Sequence, residues 1–272
     1  MLKQRVITAL ILAILVIWGV LALPSAWFGG FLILIIMLSA WEWTKLMGLS
    51  KIGIRVAYCG LVLGLIGLGW QLQRNSIFLW IILIFAGLYW CYVLIWLQRY
   101  TANPTARNSL LTWILSGCVI LVAPWIALMT LRNESNFGPY YVLFLLMLIW
   151  IADIGAYFVG RRWGRRKLAP VISPGKTWEG AAGAIIAAMF FSLIGIILFG
   201  LSVVHGLLFV CLCLLTVAFS IVGDLFESMG KRQHGVKDSG SILPGHGGIL
   251  DRVDSLTAAA PVFVLGLQWL VQ

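Results

Sequence analysis

Residues 180–224 read GAAGAIIAAMFFSLIGIILFGLSVVHGLLFVCLCLLTVAFSIVGD, and no Lys, Arg, Asp or Glu interrupts them before Asp224. The stretch holds two apolar runs, 180–199 and 203–224, parted by a short break. A helix needs about 20 such residues to cross the hydrocarbon of a bilayer, so each run is long enough to span. The rest of the chain is written the same way: 62% of the 272 residues are hydrophobic and 10% are charged. Soluble domains run at about 45–50% apolar and about 25% charged, so a water-soluble domain is excluded. The same figures exclude disorder. Cys59, Cys91, Cys118, Cys211 and Cys213 all sit in apolar stretches, which excludes a secreted disulfide scaffold. Cys211 and Cys213, spaced C-x-C, read as small packing residues rather than metal ligands.

The same ruler predicts an all-α polytopic membrane protein with about nine transmembrane helices: 6–23, 27–47, 52–70, 77–97, 110–131, 139–160, 180–199, 203–224 and 255–271. Lys3 and Arg5 precede the first run. It is longer than the about 7–15 residues of a signal-peptide core and lacks a small-x-small cleavage site, so it reads as a retained span. Pro24, Ser25 and Ala26 make so tight a turn that the first two spans form a helical hairpin. No internal repeat or low-complexity tract is present. Residues 1–138 read as a scaffold of about five spans, and 139–272 as a catalytic region with cytoplasmic loops 161–179 and 225–254.

With nine spans, 17 of the 19 Lys and Arg residues fall on one side, leaving Arg74 and Arg132 on the other. Short basic loops stay cytoplasmic, so the N-terminus is expected inside and the C-terminus outside. The net charge of +10 is then accounted for by orientation and by attraction to anionic membrane lipids; nucleic acid is not an expected partner.

The nine acids are unevenly placed. Glu42 and Glu134 lie in the first 152 positions, and the other seven fall between Asp153 and Asp254. Asp224 and Glu227, spaced i, i+3 at the inner end of the eighth span, share a helical face. Asp251 and Asp254 repeat that spacing where the ninth begins. Asp153 lies about two turns inside the sixth span, Glu179 opens the seventh, and Asp238 falls in the last loop. Acids crowded beside a membrane must be neutralised by protonation, bases or metal. Oxygen ligands of this kind suit Mg²⁺ or Mn²⁺. The rival reading is that Lys231, Arg232, Lys237 and Arg252 simply pair with them. Glu42, in Trp41-Glu42-Trp43, reads as an interfacial or packing residue, and Glu42→Gln is expected to be mild.

Two loops carry the remaining chemistry. Residues 226–254, FESMGKRQHGVKDSGSILPGHGGILDRVD, form a long connection without obvious helix, which in a compact protein is usually functional. Its glycines, Gly247 and Gly248 among them, let backbone N–H groups approach a phosphate, and its four basic residues add charge. The second loop, GRRWGRRKLAPVISPGKTWE over 160–179, is densely basic from Arg161 to Lys167. Topogenic anchoring and headgroup binding explain Arg161 and Arg162 equally well. Ser173-Pro174 reads as an N-cap with proline in the first turn. Gly175-Lys176-Thr177 fails as a P-loop, because Pro170 occupies the upstream glycine position and no strand precedes it. Lys176 and Thr177 remain candidates for phosphate contact beside Glu179. Of the histidines, His205 reads as incidental and His234 as solvated. His246, flanked by glycines, reads as a ligand orienter or phosphate donor. No Ser-His-Asp arrangement suits covalent catalysis, and the surroundings of Ser228 do not form a nucleophile elbow.

Ser228-x-x-Lys231-Arg232-x₄-Lys237-Asp238-x-Gly240-x-x-Leu243-Pro244-x-His246-Gly247-Gly248-Ile249-x-Asp251-Arg252-Val253-Asp254 resembles the C-terminal motif of the bacterial phosphatidate cytidylyltransferase (CDP-diacylglycerol synthase) family. Ser173 to Gly180 and Asp153 to Gly164 look like bacterial members too. The resemblance is strong over 150–260 and only topological before that. Where the family pattern has a bulky apolar residue, this chain has Gly230, which weakens a helix and removes a packing contact.

The resemblance implies a transferase of phospholipid biosynthesis in the bacterial inner membrane, its active site facing the cytoplasm. CTP and phosphatidic acid would give CDP-diacylglycerol and pyrophosphate with no protein nucleophile. It implies Mg²⁺ on Asp224 and Asp251, with Glu227 and Asp254 as nearby partners; a second ion, divalent or monovalent, is left open. Lys231, Arg232, Lys237 and His246 would surround the triphosphate, with Asp238 orienting the loop. Lys176, Thr177, Glu179, Ser228, Arg252, Gly247, Gly248 and Asp153 would complete the substrate pocket. Arg161 and Arg162 would draw in the lipid headgroup. A homodimer rests on the resemblance alone. The alternatives are a transporter, which would place its acids near mid-bilayer in two related halves, and a CTP-dependent lipid kinase.

Overall fold

The structure is a computed structural model that describes residues 2–104, 109–134, 137–242 and 247–271. Within them run nine helices: α1 (Leu2–Ala22), α2 (Ser25–Leu46), α3 (Ile52–Leu72), α4 (Ser76–Ala102), α5 (Leu110–Arg132), α6 (Gly138–Trp163), α7 (Trp178–Leu198), α8 (Val203–Gln233) and α9 (Leu250–Val271). Eight are long and apolar enough to cross a membrane, and α1 contributes the apolar stretch Leu10–Ala22. The chain is an all-α polytopic membrane protein. Large apolar side chains such as Trp27, Ile52, Phe85 and Ile197 stand exposed around it, as a lipid-facing surface requires.

Two departures from the apolar-run reading matter. The eighth helix does not stop near Asp224 but continues to Gln233, and α9 starts at Leu250 rather than 255. Both ends of the expected loop at 225–254 are therefore helix. Hydropathy marks where a helix leaves the hydrocarbon, not where its hydrogen-bonded ladder ends. The second departure is a two-stranded antiparallel hairpin, β1 (Lys167–Ala169) and β2 (Ser173–Thr177), between α6 and α7. Ser173 thus belongs to a strand and does not cap a helix. The cap of α7 is Thr177, whose Oγ1 accepts the Gly180 N–H at 3.1 Å.

Lipid tails are as apolar as leucine side chains, so helices in a bilayer associate through close packing rather than exclusion from water. Small residues permit that here. A Cβ built on Gly155 of α6 would lie 2.7 Å from the Gly183 carbonyl oxygen and the Ala187 Cβ of α7. A Cβ on Gly223 of α8 would lie 2.6 Å from the Asp254 carbonyl oxygen of α9. These two contacts set α6 on α7 and α8 on α9.

The N-terminal helices are fastened to α8 by an aromatic cluster. Phe226 of α8 contacts Trp43 of α2, Trp90 and Trp96 of α4 and Trp113 of α5, with ring centroids 5.2–6.0 Å apart. Such pairs contribute about 0.5–1.5 kcal/mol each beyond their buried area. The Trp43 indole N–H donates to the Trp113 carbonyl at 3.1 Å. A Cβ on Gly230 would sit 3.1 Å from the Trp113 ring, so the tryptophan fills the space next to this glycine. His234 is no solvated residue: it closes the C-terminus of α8, edge-on to Trp113. At the opposite end, Arg132 donates to the Leu23 carbonyl at 2.7 Å, bracing the tight turn between α1 and α2.

Candidate active site

Asp224, Glu227, Ser228 and Lys231 follow one another at i, i+3, i+4 and i+7, so the extended α8 presents them on one stripe. Ser228 Oγ donates to Asp224 Oδ1 at 3.3 Å. Lys231 Nζ lies 2.5 Å from Glu227 Oε2 and 2.8 Å from Asp251 Oδ1, tying α8 to the first turn of α9. Lys176, carried in by β2, places its Nζ 2.6 Å from Asp224 Oδ2. The hairpin is itself held to α8, because Arg232 Nε donates to the Ile172 carbonyl at 3.0 Å.

The Asp251 carboxylate is also gripped by backbone, accepting the N–H of Ser239 at 3.1 Å and of Gly248 at 2.7 Å. Gly247 beside it has φ +83°, and a Cβ there would come 2.7 Å from Asp251 Oδ2. Only glycine meets both demands comfortably. Asp254, one turn on, accepts the Ser255 N–H at 2.7 Å. It lies within electrostatic reach of Asp224 and Glu227, as Asp153 of α6 does of Asp224. Glu227 Oε1 is buried without a hydrogen-bond partner.

Two cavities meet at these acids. One, of about 380 Å³, lies between α6, α7, α8 and β2 and is lined by Tyr157, Arg161, Lys176 and Thr177. The other, of about 940 Å³, is mostly apolar and runs between α1, α2, α5 and α6, where Leu32, Leu121 and Leu146 face it; Lys231, Asp238, Asp251 and Arg252 border it too. Asp153, Asp224 and Ser255 line both. A small chamber carrying two cations and a larger, greasier one thus share a carboxylate wall.

The chain matches the model of the cytidylyltransferase family over residues 3–270. It belongs to that family. It is 40% identical to the phosphatidate cytidylyltransferase of Pseudomonas aeruginosa over 269 residues, covering 99% of this chain and 97% of the relative. The protein of that name from Haemophilus influenzae is 40% identical over 284 residues, with 97% of each chain covered. That from Brucella suis is 36% identical over 290 residues, covering 97% of this chain and 92% of the relative.

In this cytidylyltransferase most of the residues singled out from sequence converge on the shared wall or border the cavities around it: Asp153, Lys176, Asp224, Glu227, Ser228, Lys231, Asp238, Asp251, Arg252 and Asp254. Gly247 and Gly248 act through Asp251. Others are turned elsewhere. Glu179 accepts the backbone N–H groups of Arg165 and Arg166 and the Arg166 guanidinium, at 3.0–3.3 Å, so it organises the basic turn. Arg162 lies over the Trp163 ring; Arg161 and Thr177, by contrast, line the smaller cavity, where Arg161 donates to the Tyr157 hydroxyl at 2.8 Å. Lys237 is exposed on the last loop. His246 lies outside the described residues.

Pairing of bases with acids, the rival reading of the cluster, holds for Lys231, and Lys176 joins it. Among the described residues no three His, Cys, Asp or Glu side chains form a metal-holding group.

Sequence reasoning passed over one participant. Glu42 of α2 is fully buried, and its carboxylate accepts from Ser239 Oγ at 3.0 Å, from the Ile249 N–H at 3.2 Å and from the Leu250 N–H at 2.8 Å. It is not an interfacial residue. The signal in the sequence was a lone carboxylate inside an apolar span, which is functional by default.

Proposed function

We propose that this chain is a CTP:phosphatidate cytidylyltransferase, joining a cytidylyl group to phosphatidic acid with release of pyrophosphate. The observation that carries the reading is the carboxylate wall shared by a cavity that holds Lys176 and Arg161 and a larger one lined mostly by apolar side chains. The reaction needs a water-soluble triphosphate and a two-tailed lipid to meet at one phosphorus. An oxygen of the lipid phosphate attacks the α-phosphorus of CTP, and the bond from that phosphorus to the α,β-bridging oxygen breaks. Pyrophosphate leaves with the electron pair, and no protein nucleophile intervenes. Catalysis then rests on positioning and on charge neutralisation.

Lys176 and Arg161 line the smaller cavity and offer cationic donors to phosphate oxygens. The apolar chamber accommodates acyl chains. Lys231 holds Asp251 in place and offsets its charge and that of Glu227. Asp224 and Asp251 would hold a magnesium ion, with the unpartnered Glu227 Oε1 and Asp254 close by, in exchange for their present pairing with Lys176 and Lys231. Mg²⁺ is commonly held by one or two carboxylates plus substrate phosphates, so a full protein cage is not required. When bound, the ion supplies charge stabilisation on the phosphoryl oxygens. The one-sided distribution of basic residues supports a cytoplasmic active site, in keeping with a soluble nucleotide substrate.

The test is purified protein in phosphatidate-containing micelles with radiolabelled CTP and Mg²⁺. Label entering a lipid together with stoichiometric pyrophosphate is expected. Release of CDP with an unlabelled, newly phosphorylated lipid would identify a kinase instead.

A further inference from the structure

We propose that Glu42 is a positioning residue for this transfer: its carboxylate fixes the α8–α9 loop and the first turn of α9, and through them Asp251. The inference rests on the proposed reaction, but its structural half stands by itself.

Glu42 belongs to α2, roughly 200 positions from the loop it holds. The Ile249 and Leu250 N–H groups stand at the start of α9, where a helix leaves donors without internal partners. A carboxylate there is the acceptor that both the orphan donors and the helix dipole favour. The loop backbone is shaped around it. A Cβ on Gly240 would overlap the Glu42 carboxylate, and one on Gly248 would overlap both that carboxylate and Ser239 Oγ.

The link to the reacting groups runs through two residues that touch both acids. Ser239 donates its hydroxyl to Glu42 and its N–H to Asp251. Gly248 donates its N–H to Asp251, and Glu42 fills the space a side chain at Gly248 would take. Two carboxylates therefore hold the same two stretches of backbone, at Ser239 and from Gly248 onward, and Asp251 in turn meets Lys231. Glu42 itself lines neither cavity, so it acts by placement and not by contact with substrate. Misplacing a reacting group by about 1 Å costs on the order of a hundredfold in rate.

Glu42→Gln keeps the shape but turns an NH₂ group toward at least one backbone donor. The expected result in the full-length detergent-solubilised enzyme is a fall in kcat of about 10–100-fold, with KM for CTP within about threefold of wild type. Hydrogen–deuterium exchange should accelerate in peptides covering 237–242 and 247–256, and stay unchanged in α4 and α5. An unchanged kcat, or exchange raised evenly across the chain, overturns the proposal. Should the Glu42→Gln protein not survive purification, Gly240→Ala decides by the same readouts, because its methyl group displaces the loop from Glu42 without altering the core. Absence of cytidylyl transfer in the wild type would fail the parent reading alone; the exchange pattern would still report whether Glu42 holds the loop.

Discussion

Lys231 Nζ stands 2.8 Å from Asp251 Oδ1, across two helices and twenty positions of sequence, while touching Glu227 one turn back on its own helix. One ammonium neutralises two carboxylates that also lie against each other. The three side chains are 13%, 3% and 7% exposed, so solvent does little to screen them.

Replacing Lys231 by Met removes the cation and leaves both acids buried. Losing one partner of a buried pair costs about 3–5 kcal/mol. The variant should melt well below wild type, measured by a thermal shift in detergent, and lose nearly all of its transfer activity. Lys231→Arg should recover stability better than activity, because a planar fork cannot occupy the same point between two carboxylates.

Asp224→Asn removes one of the two main oxygen donors proposed for magnesium and releases Lys176. Transfer activity should fall by about two orders of magnitude, and the Mg²⁺ concentration for half-maximal rate should rise. Chelation with EDTA should abolish wild-type activity and added Mg²⁺ restore it. An Asp224→Asn enzyme with wild-type rate and Mg²⁺ dependence would remove Asp224 from the metal site.

Gly247→Ala places a methyl group 2.7 Å from Asp251 Oδ2 on a backbone with φ +83°. Strain of this kind costs about 1–3 kcal/mol, and the substitution pushes directly on Asp251. A drop in kcat of about tenfold or more is expected, with only a small fall in melting temperature, since the loop lies outside the packed core.

Gly230 tests whether Trp113 has taken the room of a larger residue. Alanine gains about 1 kcal/mol of helix propensity but meets the Trp113 ring at 3.1 Å, so melting should change little. Gly230→Leu should destabilise strongly, because Trp113 is hemmed in by Trp43, Trp96 and Phe226. A higher melting temperature for Gly230→Leu would show the pocket to be softer than its packing implies.

At the helix crossing of α6 and α7, Gly183→Val should prevent folding outright. Its Cβ would lie 2.6 Å from the Val159 Cβ and 2.7 Å from the Gly155 carbonyl oxygen, and neither neighbour is the free end of a flexible chain. Yield of monodisperse protein after extraction is the measurement.

The helices were readable because apolar runs of membrane-spanning length serve little else than crossing a bilayer. The acids were readable as a cluster because Asp224/Glu227 and Asp251/Asp254 repeat a helical spacing. What hydropathy could not give was the polar last turns of α8, which carry Ser228 and Lys231 past the end of the apolar run. The hairpin at 167–177 was hidden because its strands are short and lack alternation, and Ser173-Pro174 imitates a helix start. Which bases meet which acids was open as well: Lys176 and Lys231 reach carboxylates, whereas Arg232 turns to a backbone carbonyl. Glu42 was passed over because its partners lie about two hundred positions away, and no local pattern announces a contact of that range.

Since Asp153, Asp224 and Ser255 border both chambers, whatever is joined across that partition would keep one part beside the cations of Lys176 and Arg161 and another among the leucines of the larger chamber. In the proposed reaction, pyrophosphate would leave on the side of Lys176 and Arg161. The cytidylated lipid, tethered by its tails, would withdraw along the greasy chamber, so that in the proposed reaction the two products part company in different directions.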